Sequence, residues 1–264
     1  MRILNFLFSR SKQEQDKPIR DKLKTRKDFE RVLAEDLDIM ETTKARMDTA
    51  KNINLYMYRS LSYSYILILQ SKYSVDAKID ELRDIYIKSM YYFLQAFNKR
   101  NPIYADILNY VSLGVLLNIP DNNFRQLIDY VKQMDKQAKP SGWTPDLLLW
   151  FMLNSRLKEQ EKLKYAETLA YPRLYNGLYK VIQAPNAAAA KDALNKYLDR
   201  WYNLNSDAPW YNSHLKDNCY RGYWAWEVAA VAKIMHIDDS DLKNNQYCPY
   251  DMVHWADNET TAKE

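Results

Sequence analysis

Apolar residues recur at helical spacing along the chain, and no segment alternates between apolar and polar residues over several positions. In one clear example, Ile79, Leu82, Tyr86, Met90 and Phe93 follow one another at intervals of three or four residues. Such intervals place side chains on one face of an α-helix, whereas the positions of a half-buried strand alternate. The pattern predicts an all-α protein with a helical bundle-like fold and no β-sheet.

Residues that cap helices mark several of the predicted starts. Asp16 before Pro18, Asp121 and Thr144 each stand where a side-chain oxygen is able to accept from free backbone N–H groups. A long charged helix follows Asp16, and Asn186 precedes an alanine-rich helix. We predict the remaining helices over about 53–73, 77–99, 102–117, 121–134, from 145 onward, and over about 159–170, 172–183, 186–202 and 219–235.

A segment with prolines and a glycine interrupts the pattern near the middle of the chain. Lys139–Pro145 contains two prolines and one glycine, residues that favour turns and end helices. We therefore predict that residues 1–139 form an N-terminal helical domain and residues 140–264 a C-terminal helical domain. The two halves are expected to pack into one compact unit, as in helical bundles with short connections.

The composition argues against several fold and function classes. The 264 residues include only 4 glycines, which disfavours Gly-rich phosphate loops and Rossmann folds. The two cysteines, Cys219 and Cys248, are too few for a disulfide framework and indicate reduced thiols. Because the first residues show no signal-peptide pattern and no apolar stretch is long enough to span a bilayer, we expect a cytoplasmic protein without a membrane segment.

The net charge of +4 is unevenly distributed along the chain. The first 180 residues carry 30 Lys and Arg against 22 Asp and Glu, whereas the last 84 carry 8 against 12. Asp21 lies within the basic stretch from Arg20 to Lys27, and Asp28 and Glu30 follow it closely. We therefore interpret that stretch as a solvated helix face and expect no direct contact with nucleic acid. This uneven charge, basic in the first 180 residues and acidic in the last 84, affects which protein partners the chain attracts rather than which fold it adopts.

The residue types that perform catalysis or bind metal do not occur at suitable spacing. A zinc site assembled from His214, Cys219, His236, Cys248 and His254 would lack the close ligand pairs of structural zinc sites. Pro-Asp and Asp-x-Lys pairs occur, as in metal-dependent nucleases, but their order and spacing do not fit, and no strands are predicted to present them. We therefore predict no catalytic residue, no metal site and no cofactor.

The densest apolar segment runs from Tyr220 to Met235. Taken as one helix, it is apolar nearly all round, which is typical of a buried helix. We predict that Trp224, Trp226 and Glu227 are buried structural residues. Because a buried carboxylate requires a partner, we expect Glu227 to pair with an Arg, Lys, Tyr or Trp donor.

Three segments together resemble the C-terminal domain of the PoNe immunity proteins, called PoNi. They are Gly222–Lys233 (GYWAWEVAAVAK), Ile237–Ser240 (IDDS) and Tyr247–Met252 (YCPYDM). The resemblance is strongest over residues 219–252, whereas the N-terminal half resembles the family only in length, helicity and aromatic content. It implies an all-α immunity protein that binds and neutralises a cognate DNase toxin in interbacterial competition, without chemistry of its own.

Acidic residues after Met235 provide a candidate binding surface. A DNase presents a basic surface to DNA, and an acidic face on an inhibitor would complement it. The same residues also fit ordinary roles, as helix caps, as ties within a loop or as a solubilising tail. The predicted partner-binding residues are Asp238, Asp239, Asp241, Asp251 and Asp257.

Two other functions stay open on the sequence. One is a non-enzymatic helical adaptor or scaffold that binds an unrelated protein. The other is an enzyme that uses Glu227 with Cys219 or a histidine, which would require Glu227 in an open cleft beside a second titratable group. The sequence identifies neither the toxin nor the oligomeric state, and a homodimer is compatible with it.

Overall fold

A computed structural model describes residues 18–96, 103–138, 142–164 and 166–261, with side chains as far as residue 255. These ranges contain ten α-helices and no strand, so the all-α fold predicted from the apolar spacing is confirmed. Within them, no helix combines the length and the apolar character needed to cross a membrane. Helices α1 to α10 span Arg26–Thr49, Leu55–Ser74, Ile79–Ala96, Tyr104–Leu116, Asp121–Gln133, Leu147–Asn154, Pro172–Ile182, Ala187–Leu204, Trp226–Met235 and Tyr250–Thr261.

Side-chain caps explain where several of these helices begin. The predicted cap of α8 is confirmed, because the Asn186 side chain accepts from the backbone N–H of Ala189. Asn54 caps α2 in the same way. At the start of α1, Thr25 and Asp28 each accept from the other's backbone N–H, which forms a capping box. Asp16 lies outside the described residues.

Two predicted caps were wrong. Asp121 is the first residue of α5 rather than its cap, and Pro120 precedes the helix without a side-chain bond. Helix α6 is capped by Asp146 rather than Thr144, because the Asp146 carboxylate accepts from the Leu149 N–H at 2.8 Å. A carboxylate also interacts favourably with the helix dipole, which a hydroxyl does not match.

The predicted helix over 159–170 is absent from the described part of that segment apart from the short 3-10 turn Glu159–Glu161. The Asn154 side chain explains the difference. Its amide donates to the Leu163 carbonyl and its oxygen accepts from the Leu163 N–H, both at 2.9 Å. These two bonds hold the backbone of Leu163 outside a helix. Further along, the Thr168 carbonyl accepts from the Leu147 N–H.

The chain forms two compact units. Unit 1 consists of Met1–Phe97 together with Asn212–Tyr223, and unit 2 consists of Asn98–Tyr211 together with Trp224–Glu264. A short piece of the C-terminal half, named here the return segment (Asn212–Tyr223), therefore belongs to unit 1. The proposed division into domains 1–139 and 140–264 stays a prediction.

Unit 1 is built on α2, which packs against both α1 and α3. Its apolar core joins one face of α1 to the inner face of α2. Serines allow close approach within this unit, and the buried Ser89 hydroxyl of α3 donates to the Ser62 carbonyl of α2 at 2.9 Å. The central buried residues of this core are Leu33, Met40, Leu61, Tyr65 and Ile68.

The helix predicted over 219–235 was wrong in its first turns, because the return segment is not helical there and α9 begins at Trp226. Gly222 has φ of 106°, a conformation that suits glycine and interrupts a helix. The Tyr220 hydroxyl donates to the buried Asp21 carboxylate. The Tyr220 ring also packs against Phe29 of α1, with 5.7 Å between ring centroids.

A buried ion pair fixes the return segment to α1. The Arg221 guanidinium donates to both carboxylate oxygens of Asp36, at 2.8 and 3.0 Å, and the two side chains are 12% and 3% exposed. The Arg221 carbonyl accepts from the Ser74 hydroxyl of α2 at 2.8 Å. Burial raises the pKa of Asp36, and the hydrogen bond and charge of Arg221 oppose that rise.

Unit 2 is centred on α9, which contacts α4, α6, α7, α8 and α10. A helix that is apolar nearly all round needs such neighbours on every side. Close approach also matters between α7 and α8, where a Cβ atom on Gly177 would lie 2.5 Å from the Tyr197 ring. The fully buried residues of α9 include Trp226, Val228, Ala229, Ala230, Val231 and Ala232.

The Asp36–Arg221 pair gives a test of the return segment. Removing one partner of a buried ion pair leaves an uncompensated charge, so Arg221→Ala should lower the free energy of unfolding by about 3–5 kcal/mol. Hydrogen exchange should also speed up in α1. The matched control is Arg173→Ala, which breaks an ion pair whose side chains are 64% and 76% exposed and should cost less than about 1 kcal/mol. Equal urea midpoints for the two variants would contradict the assignment.

Candidate partner-binding surface

Glu227 lies in the first turn of α9, directly after Trp226. Trp224, Trp226 and Glu227 are all buried. The Glu227 carboxylate accepts from the indole N–H of Trp201 on α8 at 2.6 Å. Because α9 begins at Trp226, Glu227 lies near the helix start rather than in the middle of the helix predicted over 219–235, and at a helix start the dipole favours a carboxylate. Burial nevertheless raises the pKa of Glu227 to about 7.

Stacked aromatic rings surround Trp201 and connect α8 to the YCPYDM segment. The Trp201 ring stacks on Trp210, with 5.4 Å between centroids, and lies equally close to Tyr247. Tyr202 stacks on Tyr247 at 5.5 Å with nearly parallel rings. The Tyr247 carbonyl also accepts from the Ala225 N–H at 2.9 Å. The GYWAWE and YCPYDM segments are therefore held together directly.

The IDDS segment follows a sharp end to α9. His236 adopts a left-handed conformation with φ of 51°, and the Ile237 N–H donates to the Ala232 carbonyl at 3.0 Å. Together these features reverse the chain at the helix C-terminus. The turn buries Ile237 and leaves Asp238 exposed.

Two of the predicted acidic residues share one basic partner. The Lys191 ammonium group on α8 lies 2.7 Å from the Asp238 carboxylate and 3.0 Å from that of Asp241. The two acidic side chains remain 68% and 59% exposed. The hydrogen bond from Lys191 lowers the pKa of Asp238, with a further contribution from Ser240. We name these two residues the carboxylate pair. No sequence pattern pointed to Lys191, which lies 47 residues before Asp238.

Asp239 points inward and does not join the exposed surface. It is 2% exposed, and its carboxylate lies 2.8 Å from Nε2 of His254 on α10. Burial, together with the charges of Asp239 and Asp251, raises the pKa of Cys248 to about 12. The Cys248 thiol therefore stays protonated at neutral pH, which agrees with a structural role.

The other two predicted contact residues lie on α10. Asp251 is in the first turn of the helix and half-buried. Asp257 lies further along α10, and its side chain is outside the described part. Of the five predicted partner-binding residues, the structure therefore brings Asp238 and Asp241 together at the surface. In the described ranges no three His, Cys, Asp or Glu side chains are grouped so as to hold a metal ion.

The raised pKa of Glu227 predicts a pH dependence of stability. The unfolded chain releases this proton near 4.5 and the folded protein near 7, so the folded protein retains a proton that the unfolded chain has lost. Between these values, stability should fall as the pH rises. Glu227→Gln keeps an acceptor for Trp201 but does not titrate. Its stability relative to the wild type should increase by the order of 3 kcal/mol from pH 4.5 to 7.

Urea denaturation at several pH values measures this difference. Glu159→Gln, at a position that is 85% exposed, is the matched control and should follow the wild type. Parallel pH profiles for the wild type and Glu227→Gln would show that Glu227 titrates as it does in the unfolded chain.

Comparisons with known proteins place the three segments within a known family region. The sequence model of the family PoNe immunity protein (PoNi), N-terminal, matches residues 11–129. The sequence model of the family PoNe immunity proteins (PoNi), C-terminal, matches residues 144–252. The crystal structure of protein PA2201 from Pseudomonas aeruginosa is similar in fold, with a TM-score of 0.68, 18% identity and 93% of each chain covered. None of the curated proteins compared matches the chain. The two matched regions together take in most of the sequence, including all three segments, and the chain belongs to the PoNe immunity protein (PoNi) family.

Proposed function

We propose that this protein protects its host by binding and neutralising a cognate DNase toxin delivered by competing bacteria. The observation that carries the proposal is the match of both PoNi regions, over residues 11–129 and 144–252. The GYWAWE, IDDS and YCPYDM segments lie within the second match and flank or form α9. A toxin that cleaves DNA acts where the chromosome is, so we place the encounter in the cytoplasm.

The chemistry of the buried groups supports neutralisation by binding rather than by catalysis. Glu227 is enclosed and bonded to Trp201. Asp146, also fully buried, accepts from the Tyr104 hydroxyl and from the backbone N–H groups of Leu149 and Ala170. Each of these carboxylates accepts a hydrogen bond from a side chain on another helix and so stabilises the packing of the helices. We therefore propose that the protein is not an enzyme.

Among the predicted acidic residues whose side chains the structure describes, the carboxylate pair is the most exposed to solvent. A DNA-binding groove on a nuclease is basic, and oppositely charged surfaces speed association. Lys191 neutralises part of the charge of Asp238 and Asp241. A basic side chain of the toxin would compete with Lys191 for the same oxygens. We accordingly propose the pair as an electrostatic contact that mainly affects the association rate.

A survival assay tests the proposed function. The toxin gene next to this one is expressed in a sensitive bacterium with and without the protein. We expect cell death and chromosomal degradation with the toxin alone, and normal growth when both proteins are made. If the protein is produced and folded but cells die equally, the immunity function is contradicted, and binding of an unrelated protein becomes the better explanation.

Charge reversal tests the contact. Asp238→Lys/Asp241→Lys should slow association with the toxin several-fold at low salt, because surface charges steer the encounter. The effect should diminish at high salt, with little change in the dissociation rate. The matched control reverses two other exposed acids, Asp129 and Glu159, to Lys.

Association rates from surface plasmon resonance at two salt concentrations give the comparison. Melting temperatures establish that both double variants are folded. If the two variants associate equally fast, the carboxylate pair is only solvent-facing and the toxin contact lies elsewhere.

A further inference from the structure

The outer face of α2 carries a row of side chains at the spacing by which two helices pair. Tyr56, Arg59, Tyr63 and Ile66 follow one another at intervals of three, four and three residues, so they lie along one line of the helix. Tyr56 is 77% exposed and Tyr63 is 39% exposed, while Arg59 is exposed and Ile66 is half-buried. We name these four residues the α2 row.

The other faces of α2 already pack within unit 1. Leu61 and Ile68 belong to the core that α2 shares with α1. On the side of α3, the Ser62 carbonyl accepts from the Ser89 hydroxyl. The α2 row lies outside these two contacts, and contiguous large side chains that remain exposed on a helix mark a binding surface.

Charges of both signs surround the α2 row. Lys72 of α2 pairs with Glu81 at 3.9 Å, and Asp48 in the last turn of α1 is followed closely by Lys51. A strongly acidic or strongly basic partner therefore gains little attraction at this face. A second copy of the same face meets little like-charge repulsion, which opposes self-association when a surface has only one sign of charge.

The order of residues in the α2 row is complementary to itself. In a two-fold symmetric pair of antiparallel helices, every contact between two different residues occurs twice. With the symmetry axis passing at the level of Leu61, Arg59 of one copy faces Tyr63 of the other, and Tyr56 faces Ile66. The first pair is a cation–π contact, and the second packs an aromatic ring on an aliphatic side chain. Both partners of each contact are therefore residues of this chain.

The Arg59 side chain is already positioned for such a contact. Its guanidinium lies 5.8 Å from the centroid of the Tyr63 ring of the same chain, within the range of a cation–π interaction. Because this interaction restrains a long side chain before association, less conformational entropy is lost when a second ring packs against it. Tyrosine and arginine are also enriched among the residues that dominate the binding energy of interfaces.

We propose that the α2 row is a homodimer interface, in which α2 of one copy packs antiparallel against α2 of a second copy. The row is short, so the interface belongs to the small class that gives weak or transient complexes. A reversible dimer with a dissociation constant in the micromolar range is expected. The inference goes beyond the proposed function and does not depend on the identity of the toxin.

Sedimentation equilibrium of the full chain measures this association. The average mass of the wild type should rise from one chain towards two as the concentration increases. Tyr56→Ala/Arg59→Glu should raise the dissociation constant at least about 10-fold. The matched control, Tyr91→Ala/Lys88→Glu, makes equivalent changes three residues apart on α3, where Tyr91 is 56% exposed, and should stay within about threefold of the wild type. Melting temperatures verify that both variants are folded.

Disulfide trapping tests the antiparallel register. The Cys219→Ser substitution first removes the exposed native thiol. Arg59→Cys and Tyr63→Cys are then prepared in that background as two separate proteins. Under oxidation, the mixture should form a disulfide-linked dimer that contains one copy of each, because a disulfide requires the two Cβ atoms to face each other at close range. Each protein alone should form much less.

Three results would overturn the inference. The first is a wild type that remains monomeric at about 1 mM, and the second is a dimer that Tyr56→Ala/Arg59→Glu weakens no more than the control does. The third is a monomeric wild type whose binding to the neighbouring toxin or to a short DNA duplex is lost in that variant, which would assign the face to that partner. Cross-linking of each cysteine variant with itself, without preference for the mixture, would contradict the antiparallel register.

Discussion

Burial of α9 is the constraint on which unit 2 depends. A ten-residue helix that is apolar on nearly every face is stable only when other helices cover it, and α4, α6, α7, α8 and α10 do so. The carboxylate of Glu227 at its start then needs a donor in the interior, and Trp201 provides it. Trp201 in turn stacks against Tyr247. The Trp201–Glu227 bond thus links the GYWAWE segment to the YCPYDM segment.

Unit 1 depends on a different constraint, since residues late in the chain complete it. Asp21 and Asp36 are buried carboxylates of the N-terminal region, and their partners Tyr220 and Arg221 come from the return segment. Leaving either carboxylate without its partner would be costly. Exchange of N-terminal helices between members of the family should therefore be tolerated only when the return segment matches them.

Local periodicity was sufficient to predict much of the fold from the sequence. The predicted helices over 172–183 and 186–202 agree with α7 and α8 to within two residues at each end. The start of α9 was missed because Tyr220 and Tyr223 continue an apolar helical pattern. Tyr220 in fact bonds to Asp21, which lies 199 residues away, and Tyr223 bonds to Ser213 within the return segment. The spacing of apolar residues does not predict such contacts.

The candidate surface was predictable in composition but not in geometry. The concentration of acids after Met235 was visible in the sequence, whereas the inward orientation of Asp239 depends on His254. Likewise, the sharing of Lys191 by Asp238 and Asp241 depends on how α8 packs beside the turn after α9. Side chains of adjacent residues face opposite environments at this turn. The sequence therefore predicted more exposed acidic residues after Met235 than the described residues show.

We propose that this protein neutralises a DNase toxin by stoichiometric binding. The most direct test titrates a fixed concentration of the purified neighbouring toxin with this protein, well above the dissociation constant, and measures DNA cleavage. Binding predicts that activity falls linearly and vanishes at one equivalent, with an intact toxin recovered from the complex. Full cleavage at several equivalents, or complete and irreversible loss of activity at a small fraction of one equivalent, would contradict the account.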